Sequence, residues 1–198
     1  MTKIETTFGA ASPGVTGYRH VDTNSGFESW YWAGAGNATA LTTVVAAANV
    51  LIAIPWICSG RGGVLDRMGI NVTGLSAGAM RPGIYQNTGP TNLYPAALLL
   101  DAGPLDTSAV AVVNTPINFA VNPGDLLWFV TLFQATPTVN AWSIGANELY
   151  LGVPVTLPGA QSIGLSVAQA FGPLPPVFPA GAVLTSVSQP AVAVRFGA

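Results

Sequence analysis

The apolar runs in this chain are all short. Stretches rich in β-branched and aromatic residues recur at intervals of roughly ten to twenty residues, each closed by a cluster of Gly, Pro, Asn or Asp, which is the habit of an all-β sandwich or barrel. With 23 Gly and 16 Pro among 198 residues, no segment stays free of helix breakers long enough for a bundle or coiled coil. Strands are expected at Phe27–Trp32, Val50–Ile57, Val64–Val72, Arg81–Tyr85, Ala97–Leu100, Ile117–Val121, Leu126–Phe133, Val139–Ile144, Ser162–Ala168 and Val192–Phe196. In Asn122-Pro123-Gly124-Asp125, Pro and Gly stand where a type II turn requires them. Residues 38–49 are Ala-rich and compete for helix, but three Thr and two Val oppose it, so the piece reads as a loop leading into a strand.

Two of these strands are apolar on both faces. In Leu126–Phe133 one face presents Leu126, Trp128, Val130 and Leu132, the other Leu127, Phe129, Thr131 and Phe133; Val50–Ile54 reads the same way. A strand at the surface of a sandwich alternates apolar with polar, so the second face is expected to lie under a long loop or a neighbouring subunit. This predicts a homo-oligomer, a trimer first and a pentamer second. Residues 1–26 are polar and Gly-rich and read as an N-terminal arm on a sandwich domain spanning 27–198. Within that domain residues 149–190 carry no charge and hold seven of the sixteen prolines, which predicts an extended arm packed on the sandwich.

Only 7% of residues are charged, against about 25% in an ordinary domain. Six basic and eight acidic side chains leave no stripe to neutralise phosphates, which argues against nucleic acid as a partner. Residues 29–60 contain no charge, but Thr39, Thr42, Thr43, Asn49 and Pro55 interrupt the apolar piece and no basic cluster flanks it, so no membrane span is expected. The N-terminal residues lack the apolar run of a secretory signal. Cys58, the one cysteine, has no internal disulfide partner and sits in an apolar segment.

Catalytic chemistry is poorly provided for. His20 is the one histidine, no Gly-x-Ser-x-Gly elbow occurs, and the carboxylates are scattered; Asp125 follows a turn, and Asp101 and Asp106 flank Ala102-Gly103-Pro104. The expectation is a protein that is not an enzyme, with no cofactor and no metal. Asp66 is more informative, because strict alternation would place it on the core face with Val64, Met68, Ile70 and Val72. A carboxylate there needs a backbone donor or a cation such as Arg81, unless a bulge shifts the register. Among the aromatics, Tyr31, Tyr85, Trp142 and Tyr150 are the candidates for exposed faces on which a sugar ring could stack, the alternative being a place in the core.

The succession Asn49–Trp56, Leu65–Thr73, Arg81-Pro82-Gly83-Ile84-Tyr85, Pro95–Gly103 and Pro123–Trp128 resembles a β-sandwich domain of tailed-phage virion proteins and related gene-transfer particles, as found in head or tail fibres and spikes. The resemblance covers about residues 28–145 and is one of pattern and order. It implies a jelly-roll-like sandwich, a place on the capsid or tail surface after assembly in the host cytoplasm, other virion proteins as partners, and contact with host surface polysaccharide. It supplies no catalytic residue. The function expected is a surface fibre, spike or receptor-binding module, with a capsid decoration protein and, in another class, a polysaccharide-active enzyme as alternatives.

Overall fold

One long hairpin, wound on itself, accounts for most of the chain. The computed structural model describes residues 30–32, 41–58, 62–89, 92–142, 164–185 and 187–197. Its strands are β1 (Trp30–Trp32), β2 (Leu41–Val45), β3 (Val50–Ile57), β4 (Gly63–Gly74), β5 (Ala79–Gly89), β6 (Asn92–Asp101), β7 (Leu105–Asp106), β8 (Ala111–Val121), β9 (Leu126–Phe133), β10 (Thr138–Trp142), β11 (Gly164–Ala168), β12 (Val183–Thr185), β13 (Gln189–Pro190) and β14 (Ala193–Phe196). The antiparallel pairs β5–β6, β4–β8, β3–β9 and β2–β10 are nested one outside the next. Pairing of β5 with β9 and of β4 with β10 then closes two sheets, β3–β9–β5–β6 and β2–β10–β4–β8. Eight strands nested in this way across two packed sheets make a jelly roll, an all-β sandwich.

The two sheets enclose a continuous apolar layer. Toward one end Leu65, Met68, Ile84, Leu127, Phe129 and Val194 pack together; toward the other, Ile70, Val72, Met80, Phe133 and Val139. Trp56 meets Phe129 edge to face at 5.3 Å, a geometry the ring quadrupoles favour.

A second apolar layer lies outside the first sheet, and it explains the strands with two apolar faces. Leu51 and Ala53 of β3, Tyr85 of β5 and Trp128, Val130 and Leu132 of β9 are all buried there under Leu174 and Phe178. No neighbouring subunit is needed to cover this face, which corrects the physical ground for expecting one. The covering segment leaves β11 at one side of the sheet, crosses to the edge strand β6, and returns to β12 beside β11. Crossing from β11 to β6 spans four strand spacings, roughly 19 Å.

This Pro-rich strap is tied at several points along its path. At its start Asn49, held at φ 58°, accepts the Gln169 N–H on its carbonyl (3.0 Å) and the Phe171 N–H on its side chain (2.9 Å). In mid-course Asp101 accepts the Leu174 N–H (3.0 Å), and the Tyr85 hydroxyl donates to the Pro175 carbonyl (2.7 Å). At the far edge the Leu98 N–H donates to Pro176 (2.9 Å) and the Phe178 N–H to Ala96 (2.8 Å), while the Tyr94 hydroxyl donates to Pro179 (2.8 Å). Proline has no N–H to pair, so the strap is held through the carbonyls of its prolines and the N–H groups between them. Gly83 lies directly beneath it: a Cβ there would strike Leu174 Cδ1 and stand 2.6 Å from the Leu100 carbonyl oxygen.

The chain ends by returning to the second sheet. The twelve-residue β4 pairs β8 along one edge and divides the other between β10, at Val72–Gly74, and β14, at Leu65–Gly69. The C-terminal third thereby touches both sheets and the outer layer.

Three sequence expectations change. Residues 41–45 form the first strand of the jelly roll and not a loop, since Thr42, Thr43, Val44 and Val45 are β-branched and pair with β10. β8 starts at Ala111, six residues before the expected Ile117, because the alternation of exposed Val112, Asn114 and Pro116 with partly buried Val113 and Thr115 suits an edge strand. At Asp66 the pairing of β4 shifts against both β8 and β14, so that Leu65 and Met68, three residues apart, are both fully buried. The bulge turns Asp66 and Arg67 away from the core. Arg195, and not Arg81, is the partner of Asp66, donating from Nε at 2.8 Å and also from its terminal nitrogen.

Candidate functional site

The four aromatic candidates do not form one surface. Tyr85 is fully buried and Trp142 is 4% exposed. Neither presents a face to a ligand, which corrects the expectation that both are exposed. Tyr85 belongs to the layer under the strap, edge to face with Phe178 at 5.3 Å, and burial together with the nearby charge of Asp101 pushes its phenol well above the ordinary range. Trp142 sits in β10, in register with Leu41 and Gln189. Tyr31 lies on β1 opposite Val194, with its side chain outside the described residues, as are Tyr150 and His20.

Asp101 and Arg81 form an ion pair that anchors the strap. Arg81 Nε lies 2.8 and 2.9 Å from the two carboxylate oxygens, and the Gly103 and Leu174 N–H groups donate to the same carboxylate. Burial alone would raise the Asp101 carboxyl. The Leu174 N–H, Arg81 and the Gly103 N–H outweigh it and hold the group below the usual carboxylate range. These three donors make four hydrogen bonds to the carboxylate, which is thereby occupied structurally. Among the described residues no three of His, Cys, Asp and Glu come together as metal ligands would, and no helix is long and apolar enough to cross a membrane.

One concave feature of this surface is lined by strands of both sheets. Near the β8–β9 turn, residues of β5, β6, β8 and β9 line an open cleft of about 470 Å³. Phe119 of β8, Leu99 of β6 and Leu126 of β9 provide apolar walls, and Gln86, Asn87 and Asp125 bring polar groups. Local chemistry fixes this arrangement. Gly124 takes φ +90° and the Asp125 N–H donates to the Asn122 carbonyl at 3.1 Å, as the Pro-Gly pair of a type II turn demands. The Asp125 carboxylate then accepts the Asn122 N–H through Oδ2 at 2.7 Å, which leaves Oδ1 without a protein partner among the described residues. Asn87 is fully engaged, donating to Gly89 and Asn92 and accepting from the Trp128 indole N–H at 2.9 Å. Gln86 beside it is exposed and makes no hydrogen bond with the described residues.

Sequence reading did not single out Phe119 or Gln86. Alternation along β8 puts Phe119 on an inward face, but nothing local shows that the inward space opens to solvent at this end. Asp125 was legible only as a turn residue. No known protein family and no curated protein matches the chain.

Proposed function

We propose that this chain is a non-enzymatic structural protein of a virion surface, a jelly-roll module that associates with copies of itself and with other virion proteins. The observation that carries the reading is the apolar character of the sheet side formed by β12. Val183 and Leu184 of β12 are 62% and 54% exposed, Val187 just beyond is 60% exposed, and among the described residues β12 pairs with β11 alone. Soluble monomers normally blunt an edge strand with charge, a proline or a bulge; adjacent Val and Leu side chains on such a strand suit contact with another subunit. The low charge of the whole chain favours the same end, because few ionic groups would have to be stripped of water on assembly. Whether the module stands on a fibre or decorates a capsid is a question of placement, and both belong to this reading.

Antibody against the purified chain, applied to particles from a producing culture and viewed by electron microscopy, tests the proposal. Label at regular positions on heads or tails is the expected outcome. Particles that carry no label, beside free protein in the lysate, would overturn it.

Contact with a host saccharide is a second reading, favoured by the cleft between Phe119, Gln86 and Asp125.

A further inference from the structure

The geometry points to the cleft at the open end of the sandwich as a subsite for one neutral pyranose ring, with Phe119 as its apolar floor and Gln86 and Asp125 as its hydrogen-bonding groups. This deepens the saccharide reading and rests on it.

The cleft's size, about 470 Å³, falls within the range of small-molecule sites. The chemistry of its lining narrows the class of ligand. A pyranose has a face of C–H groups and a rim of hydroxyls, so it asks for an aromatic or aliphatic wall beside groups that both accept and donate. Phe119 and Leu126 supply the wall. Among the described residues Asp125 Oδ1 is an acceptor with no partner to displace, and the Gln86 amide has both donor and acceptor capacity to spare. The lining holds one carboxylate and no Lys or Arg, so its charge opposes a phosphorylated, sialylated or uronic acid ligand. Asn87 takes no direct part. Its bonds to Gly89, Asn92 and the Trp128 indole fix the backbone from which Gln86 projects, so Asn87 is a positioning residue.

The purified full chain is titrated with the methyl glycosides of glucose, galactose, mannose and N-acetylglucosamine, and with N-acetylneuraminic acid, using saturation-transfer NMR and calorimetry. At least one neutral glycoside is expected to bind, with saturation reaching its ring C–H protons, and the sialic acid is expected not to bind. Gln86→Ala and Asp125→Asn should each weaken binding by about tenfold, the effect of losing one hydrogen bond to a charged or otherwise unpaired group, without lowering the melting temperature. Phe119→Leu keeps an apolar side chain against the core and should remove the ring C–H signature.

Failure to bind any of the neutral glycosides overturns the subsite. Binding that ignores both Gln86→Ala and Asp125→Asn overturns it equally, while leaving saccharide contact elsewhere on the chain. Tighter binding of the sialic acid than of the neutral sugars would refute the charge argument and with it the assignment. A chain that labels particles yet binds no glycoside refutes the subsite and leaves the virion reading standing.

Discussion

Thr131 is buried on the inner face of β9, opposite Ile52 and Pro82, and its hydroxyl oxygen has no hydrogen-bond partner among the described residues. Valine has nearly the same shape without the polar atom, and a buried unsatisfied hydroxyl costs about 1–3 kcal/mol. Thr131→Val is therefore expected to stabilise the fold by about 1 kcal/mol, read as a higher midpoint in urea with unchanged slope; an unchanged or lower midpoint would mean the hydroxyl is satisfied in solution. Asp101 makes a prediction of opposite kind. Its carboxyl is held below the usual range, so the folded chain takes up this proton less readily than the unfolded chain, whose value is about 3.9. The stability it contributes is complete above that value and is lost as pH falls through the lower, folded one. Thermal melts across the acid range should show a shallower loss for Asp101→Asn than for the native chain; equal slopes would assign the acid sensitivity to other carboxylates such as Asp66. At this scale the sequence was only partly readable. The conflict at Asp66 was visible as a charge in an apolar alternation, and a bulge was one of its foreseeable solutions. Its partner was not, since Arg195 lies 129 residues away and only the fold brings the two together.

The strap is the element on which the first sheet depends. Leu174 and Phe178 cover an area that would otherwise expose Trp128, Val130 and Leu132 to water. Truncating a buried Leu to Ala costs about 2–5 kcal/mol, so Leu174→Ala should be among the most destabilising single changes in the chain. A dye that fluoresces on apolar surface should also bind the variant below its melting temperature, because loosening the strap uncovers one face while leaving the inter-sheet layer in place. Cooperative unfolding of the variant with no dye-binding stage would show that strap and sandwich are one unit. Gly83→Ala tests the same contact from below and should destabilise by about 1–3 kcal/mol, since the Leu100 carbonyl gives the new methyl no room. The need for such a cover was legible in the sequence: a strand reading Leu-Leu-Trp-Phe-Val-Thr-Leu-Phe has no face to spare for water. Composition revealed that the face is buried and could not say by what. The occupant is fixed by hydrogen bonds such as Tyr85 to Pro175 and Asp101 to Leu174, between groups 90 and 73 residues apart.

At the scale of the whole molecule, the covered face removes one reason for self-association, and the side formed by β12 supplies another. A chain of 20.2 kDa with so few charges has little electrostatic repulsion to keep copies apart. Val183 and Leu184 then project, one on each face, from a strand that pairs only β11 among the described residues and whose backbone can extend a sheet. Light scattering of the purified protein at micromolar concentration should give a mass that is a multiple of 20.2 kDa, with a trimer the favoured state. Replacing Val183 and Leu184 together by Lys should yield a monomer of unchanged melting temperature, because both side chains are more than half exposed and contribute little to the fold of one copy. Like charges on facing edges would repel, and the lysines would have to lose their water to pair. A native chain that is monomeric at that concentration would refute self-assembly through this side, and so would a Lys variant that keeps the native mass. A variant that becomes monomeric and at the same time melts early would instead show that β12 is held in place by the rest of its own chain, and the interface would have to be sought on another face.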